Sequence, residues 1–296
     1  SAIDTTGNEL WAHDTSNHST WQVADIWTGG NGDVGKYMST LVGDTLYFSA
    51  HDGITGHELW AHDTSNHSTW QAADINFGSG SSDPGQYMEI LIGDTLYFSA
   101  TDGQSGKELW AHDTSNHSTW KAAEINNWIM MGGAGLGSYP GQFMAVSVGD
   151  TIYFSAQDQP SGQELWAHDT SNHSTWQVAD ISSGSSNSNP GQYMEILVGD
   201  TIYFSANDGT TGTELWAHDT SNHSTWQVAD MRSGTHGSNP GLWMTLLIGD
   251  ILYFSATDGQ SGQELWAHRP SSINYQTNTG GAVTSWAINA SLPSGV

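Results

Sequence analysis

The sequence predicts an all-β fold assembled from a repeated, four-stranded antiparallel unit. Three observations carry that expectation: a motif recurring at nearly constant spacing, short β-favouring runs bounded by turn residues, and no competing helical periodicity. The phrase Gly-Asp-(Thr/Ile)-(Leu/Ile)-Tyr-Phe-Ser-Ala begins at Gly43, Gly93, Gly149, Gly199 and Gly249, giving intervals of 50, 56, 50 and 50 residues. Glu-Leu-Trp-Ala-His begins at Glu9, Glu58, Glu108, Glu164, Glu214 and Glu264. Between them His-Asp-Thr-Ser-Asn-His-Ser-Thr-Trp recurs unchanged from His13, His62, His112, His168 and His218. Such identity indicates recent duplication or deliberate construction.

Within one period the elements follow in order. Residues 193–198 form the first run, and residues 201–206, rich in β-branched and aromatic side chains, form the second. Asn207-Asp208-Gly209 supplies a turn suited to positive φ at the glycine. Residues 214–218 are the third run, the Asx-rich segment from Asp219 to Asn222 the next turn, and residues 225–230 the fourth. Four antiparallel strands in about 50 residues, repeated five times, is the arithmetic of a five-bladed β-propeller.

Counting elements suggests how the ring closes. One Glu-Leu-Trp copy is surplus, and the last repeat ends at Arg269-Pro270 where its Thr-Trp strand should follow. The expectation is that residues 20–26 supply that outer strand beside residues 264–268, so that both chain ends meet in one blade. Residues 1–268 are then the propeller and residues 269–296 a linker with an incomplete further segment. The inter-blade connections lie on the face of the Asp-Gly turns. They are where the copies diverge, most of all at residues 126–140, which carry the six extra residues of the longer period.

The charge excludes some functions. With 31 Asp+Glu against 5 Lys+Arg the formal charge is −26, so neither nucleic acid nor an anionic membrane surface is an expected partner. Cysteine is absent, which removes disulfides, thiolate metal sites and thiol nucleophiles. No run approaches about 18 continuous apolar residues, and a start at Ser1 reads as a processed or excised piece.

Gly-Asp-Thr-Leu-Tyr-Phe-Ser-Ala-x-Asp-Gly-x-x-Gly-x-Glu-Leu-Trp, at residues 43–60 and 93–110, resembles the ELWxxDGT repeat of bacterial and archaeal surface proteins. Here His-Asp-Thr-Ser-Asn replaces the family's Asp-Gly-Thr. The resemblance covers residues 1–268 and implies a propeller in a secreted or surface protein, with no catalytic residue. Residues 278–295 are similar to the opening of Ig-like repeats in large surface proteins.

Candidate sites follow from the divergent face. Trp128 and Met130 in the insertion, Tyr139 at its end, and the Asp-Gly turn residues Asp102, Asp208 and Asp258 are the expected ligand-binding residues. Trp or Tyr would stack on a sugar while carboxylates accept its hydroxyl hydrogen bonds, with several weak sites acting together. Asn-x-Ser acceptor patterns stand at Asn17, Asn66, Asn116, Asn172, Asn222 and Asn289, making a glycoprotein the expectation in an exporting host. No cofactor is expected, although calcium could draw on the Asp-Gly loops, since it takes six to eight oxygen ligands. His13, Asp14 and His18 read as turn residues rather than a zinc site.

No Gly-x-Ser-x-Gly, His-Glu-x-x-His or P-loop motif supports an enzyme. The function expected is extracellular, lectin-like carbohydrate recognition or cell adhesion, with glycans or cell-surface proteins as partners. The alternative is a spacer or assembly subunit that self-associates through its surplus strand.

Overall fold

The computed structural model describes residues 2–4, 7–128 and 135–270. These contain strands and turns but no helix, and the strands form six antiparallel sheets. The first sheet comprises Ala2–Asp4, Gly7–His13 and Thr20–Ala24. The second comprises Ser39–Val42, Thr45–His51, His57–Asp63 and Ser68–Ala73. Glu89–Ile92, Thr95–Thr101, Lys107–Asp113 and Ser118–Ala123 form the third. The fourth has Ala145–Val148, Thr151–Asp158, Gly162–Asp169 and Ser174–Ala179. The fifth has Glu195–Val198, Thr201–Asn207, Thr213–Asp219 and Ser224–Ala229. The sixth has Thr245–Ile248, Ile251–Thr257 and Gln263–His268.

The strand alternation explains how sheets pack. In the Thr-Leu-Tyr-Phe-Ser-Ala strand, Leu, Phe and Ala face the preceding sheet while Tyr faces the following one. Thus Tyr47, Leu59 and Ala61 of the second sheet bury against Leu96, Phe98 and Ala100 of the third. The same set recurs between the third and fourth, fourth and fifth, and fifth and sixth sheets. Leu10 of the first sheet packs on Phe48 and Ala50 of the second. Tyr and His add a polar register mark: Tyr47, Tyr97, Tyr153 and Tyr203 lie 5.1, 5.5, 5.2 and 5.2 Å from the rings of His112, His168, His218 and His268. These histidines are therefore inter-sheet packing groups rather than surface turn residues. His112, His168 and His218 are fully buried.

Two polar devices hold the connections. The buried glutamate of each of the first five Glu-Leu-Trp copies accepts from the segment leading to the next sheet: Glu58 Oε2 from Ile75 N at 2.7 Å, and Oε1 from Ser82 N at 3.0 Å. The serine of Tyr-Phe-Ser-Ala accepts from the backbone N–H just before the innermost strand, as Ser205 Oγ does from Tyr193 N at 2.9 Å. This is why regular pairing starts at Glu195 and not at residue 193. Inter-blade segments and Asp-Gly turns share a face as expected, since His57 N donates to Ser81 Oγ and Thr101 N to Ser82 O.

The expected five blades and N-terminal closing strand are corrected. Thr20–Ala24 pairs with Gly7–His13 in the register Leu10↔Ala24, Trp11↔Gln22, Ala12↔Trp21 and His13↔Thr20. Gln263–His268 pairs with Ile251–Thr257 alone. The surplus Glu-Leu-Trp thus founds a sheet of its own instead of leading into a shared blade. The reason is local: the Asp14 turn closes a short hairpin, whereas pairing with residues 264–268 would require closing almost the whole chain. Residues 269–270 follow the last strand, and residues 271–296, expected to begin an Ig-like segment, lie outside the described residues.

Candidate functional site

The Asp-Gly turn of the third sheet builds a defined cleft. Asp102 Oδ1 accepts from Gln104 N at 2.9 Å and Ser105 N at 2.8 Å, and from Ser105 Oγ at 3.0 Å. Gly103 adopts φ 77°, which an L side chain reaches only with strain. On the neighbouring outer strand, Lys121 Nζ donates to Ser105 Oγ at 2.8 Å and pairs with Asp102 Oδ2 at 3.1 Å and Glu124 Oε2 at 3.2 Å. Partial burial works against the Asp102 carboxylate. The Ser105 and Gln104 N–H groups and the Lys121 ammonium outweigh it and hold its pKa at about 2.

The cleft measures about 230 Å³ and is lined by Asp102, Gln104, Ser105, Lys121, Glu124, Asn126, Asn127 and Gly135. Its wall is polar and carries two carboxylates for one ammonium. Asn126 fixes the base of the insertion: Nδ2 donates to Gly137 O at 3.3 Å, and Oδ1 accepts from Trp128 N at 3.3 Å. Leu136 N closes the loop on Trp128 O at 3.0 Å. Trp128 follows the cleft residue Asn127 in the chain and has 57% of its surface exposed. Asp102 and the insertion, singled out separately in the sequence, thereby share this cleft through Asn126, Asn127 and Gly135.

The second and fifth sheets repeat the design with an uncharged glutamine in place of the lysine. Asp52 Oδ1 accepts from Ile54 N and Thr55 N, and Gln71 Nε2 donates to Thr55 Oγ1 at 3.1 Å. Asp208 Oδ1 accepts from Thr210 N and Thr211 N, and Gln227 Nε2 donates to Thr211 Oγ1 at 3.0 Å. Asp258 makes the same turn with Gln260 N and Ser261 N, each at 2.8 Å. Asp208 and Asp258 thus stand in their own blades, away from Trp128. Met130 lies outside the described residues.

Tyr139 is placed elsewhere. Its φ is 50°, a region where the equivalent Asp33, Asp83, Asn189 and Asn239 also sit but which a bulky residue seldom adopts. Its ring meets Tyr87 edge-on at 5.9 Å, in a groove where Lys107 Nζ lies 3.5 Å from Asp83 and 5.9 Å from the Tyr87 ring. One blade earlier the corresponding groove holds a cluster that sequence reasoning missed. Trp27 stacks on His51 at 4.7 Å, and His51 meets His57 at 4.9 Å. His57 Nε2 lies 3.2 Å from Asp33 Oδ2. Burial lowers the His57 pKa, with Asp33 opposing. The signal was available: the residue before Glu-Leu-Trp reads His57, Lys107, Gln163, Thr213 and Gln263, varying inside an otherwise constant motif.

The acidic residues of the Asp-Gly motif serve different segments. Glu108 is buried and accepts from Ile125 N and Ser138 N, while Asp102 serves its own turn. Among the described residues no group of three or more His, Asp or Glu side chains is placed to hold a metal ion. The acceptor asparagines stand on exposed turns. Asn66 Nδ2 donates to Asp63 Oδ2 at 2.7 Å and Oδ1 accepts from Ser68 N, and Asn17, Asn116, Asn172 and Asn222 repeat this. Asn289 lies outside the described residues.

No protein-family profile matches the chain, and no curated protein sequence does. Among solved structures it is similar to the GH74 xyloglucanase from Xanthomonas campestris, at 15% identity over 90% of this chain and 41% of that one, with a TM-score of 0.48. A puromycin hydrolase is similar at 12% identity over 74% of this chain and 33% of that one, with a TM-score of 0.44. BamB from Moraxella catarrhalis is similar at 16% identity over 80% and 59%, with a TM-score of 0.42. The chain spans less than two thirds of each of these proteins. At such identities and scores the likeness says nothing of what this chain binds.

Proposed function

We propose that this chain is a carbohydrate-binding module of a secreted or surface-displayed protein, built on a propeller-type scaffold and acting through several weak clefts of one design. The observation that carries the reading is the polar cleft of Asp102, Lys121, Glu124 and Asn127, with exposed Trp128 next in the chain after Asn127. An indole face stacks on the apolar side of a pyranose, and carboxylate, amide and ammonium groups match its hydroxyls. Asp208 and Asp258 head equivalent turns in other blades, so weak sites gain strength when a polyvalent glycan engages more than one. The resemblance to the ELWxxDGT repeat supports the surface location, and the clefts take glycans or glycosylated surface proteins as partners. The test is a glycan array with free-sugar competition, comparing the protein with Trp128→Ala and Asp102→Asn. Binding that free sugar does not displace, or that both variants retain in full, defeats the reading.

A second reading, as a spacer or assembly subunit, is favoured by one observation. Among the described residues nothing covers the apolar outward face of the sixth sheet, with Leu265 54% exposed where Leu215 of the fifth is 1% exposed.

A further inference from the structure

We infer that the sixth sheet docks on the first sheet of a second copy of this chain, head to tail; this rests on the second reading above and names its partner. The forward faces of the second to fifth sheets are sealed by the sheet that follows, each burying one Met, one Tyr and one Leu: Met194, Tyr203 and Leu215 in the fifth. In the sixth sheet the same positions are open. Met244 is 40% exposed, and Leu246 and Ile248 of the innermost strand are 49% and 58% exposed. A contiguous apolar face of this kind is normally covered in use.

The interfaces inside the molecule define what fits there. Each forward face receives from the next sheet a Trp and a His of Ala-spaced Glu-Leu-Trp-Ala-His, with the His ring against the Tyr ring of the face, as Tyr203 meets His268 at 5.2 Å. Among the described residues Tyr253 has no such histidine partner. The first sheet carries the complement: Trp11 and His13 occupy the Trp and His positions, and His13 is exposed, unlike His112, His168 and His218. The second copy therefore continues an interface already used between successive sheets of one chain. The match is partial, because the first sheet has only Ala2–Asp4 where other sheets have the Leu-x-Phe-x-Ala strand. Docking is weaker than the internal packing, and the −26 charge of each copy opposes it until salt screens the repulsion. One patch meeting a different patch makes the contact heterologous, generating rings or filaments rather than an isolated two-fold dimer.

The chain has no cysteine, so single thiols report position directly. His13→Cys and Tyr253→Cys proteins, checked for native circular dichroism, are mixed and treated with a short bis-maleimide. A cross-linked dimer that requires both variants is expected, as is a ladder of oligomers from the double variant. Sedimentation of the unmodified protein should show average mass rising above 31.8 kDa with concentration and with salt. Leu265→Asp should weaken that association about tenfold or more. A link formed within one chain means that the array closes on itself, and overturns the inference. A monomer at all concentrations also overturns it. In that case a freely reactive Leu265→Cys thiol leaves assembly onto a different protein standing, and a protected one removes the assembly reading as well.

Discussion

Ser188 latches Glu164: its hydroxyl donates to Oε2 at 2.7 Å and its backbone N–H to Oε1 at 3.1 Å, with both residues fully buried. Ile181 N adds a third bond at 2.7 Å, so one carboxylate pins both ends of the segment between the fourth and fifth sheets. Glu164→Ala removes the acceptor of Ile181 N and Ser182 N, leaves Ser188 only Gln163 O, and opens a cavity. It should cost about 3 kcal/mol, and Ser188→Ala about 1–2 kcal/mol, measured by denaturant unfolding.

Stability should peak on the acid side of neutrality. Burial raises the pKa values of Glu58, Glu108, Glu164 and Glu195 from 4.5 to about 7. The folded state then holds more protons than the unfolded one across that window, and this stabilisation is lost as pH rises towards 7. Burial lowers His112, His168 and His218 from 6.5 to about 4, so their contribution is complete above 6.5 and lost as pH falls towards 4. The two sets nearly cancel between these limits, leaving the net carboxylate excess and charge repulsion to tilt the balance. Thermal melts across pH should be highest near about pH 5. Glu164→Gln should flatten the decline towards pH 7, and His218→Asn should soften the acid loss.

Glycines of the same φ sign should differ in tolerance. Gly191 has φ 84°, and a Cβ there would collide with the Cβ of Met144, whereas Gly149 at φ 57° faces open space. Gly191→Ala should cost about 2–4 kcal/mol, from backbone strain plus overpacking, and Gly149→Ala about 1 kcal/mol, from strain alone. Equal losses for the two would show that sheet-to-sheet clearance is not limiting.

Trp128→Ala should change unfolding free energy by less than about 0.5 kcal/mol, since the side chain is exposed, while weakening sugar binding about tenfold. Lys121→Gln converts the cleft to the Asp52 and Asp208 type. It should raise the Asp102 pKa above about 2 by removing the ammonium that helps keep it ionised, a change read by side-chain carboxyl NMR titration.

Salt should raise the unfolding temperature by screening the −26 charge. Calcium, magnesium and sodium matched in ionic strength should act alike, because the Asp-Gly carboxylates already receive donors from their own turns. A rise unique to calcium would assign it a site.

Much of the architecture was legible because it is written in local signals. The β-branched and aromatic run Thr-Leu-Tyr-Phe-Ser-Ala marked a strand, and the Asp-Gly and His-Asp-Thr-Ser-Asn turns marked the hairpins. The cleft was half legible: Asp102 and the insertion were found, and they meet because Gly135 N donates to Gln104 O in the Asp102 turn. Tyr139 was assigned to the same place but turns to Tyr87, and His57 beside Asp33 was overlooked because neither belongs to the constant motif.

The sequence by itself determined an all-β chain of repeated hairpins, the strands within each sheet and the polar face on which the copies diverge. Those properties depend on residues a few positions apart. Only the tertiary structure decided that Thr20–Ala24 pairs with its own hairpin partner, that six sheets form, and that the sixth is left with an open apolar face. The physical reason is that every repeat carries both the covering and the covered surface, so the motif is equally compatible with a ring, an open array or a second copy. The choice between them rests on contacts between the ends of the array, which the repeat leaves unspecified.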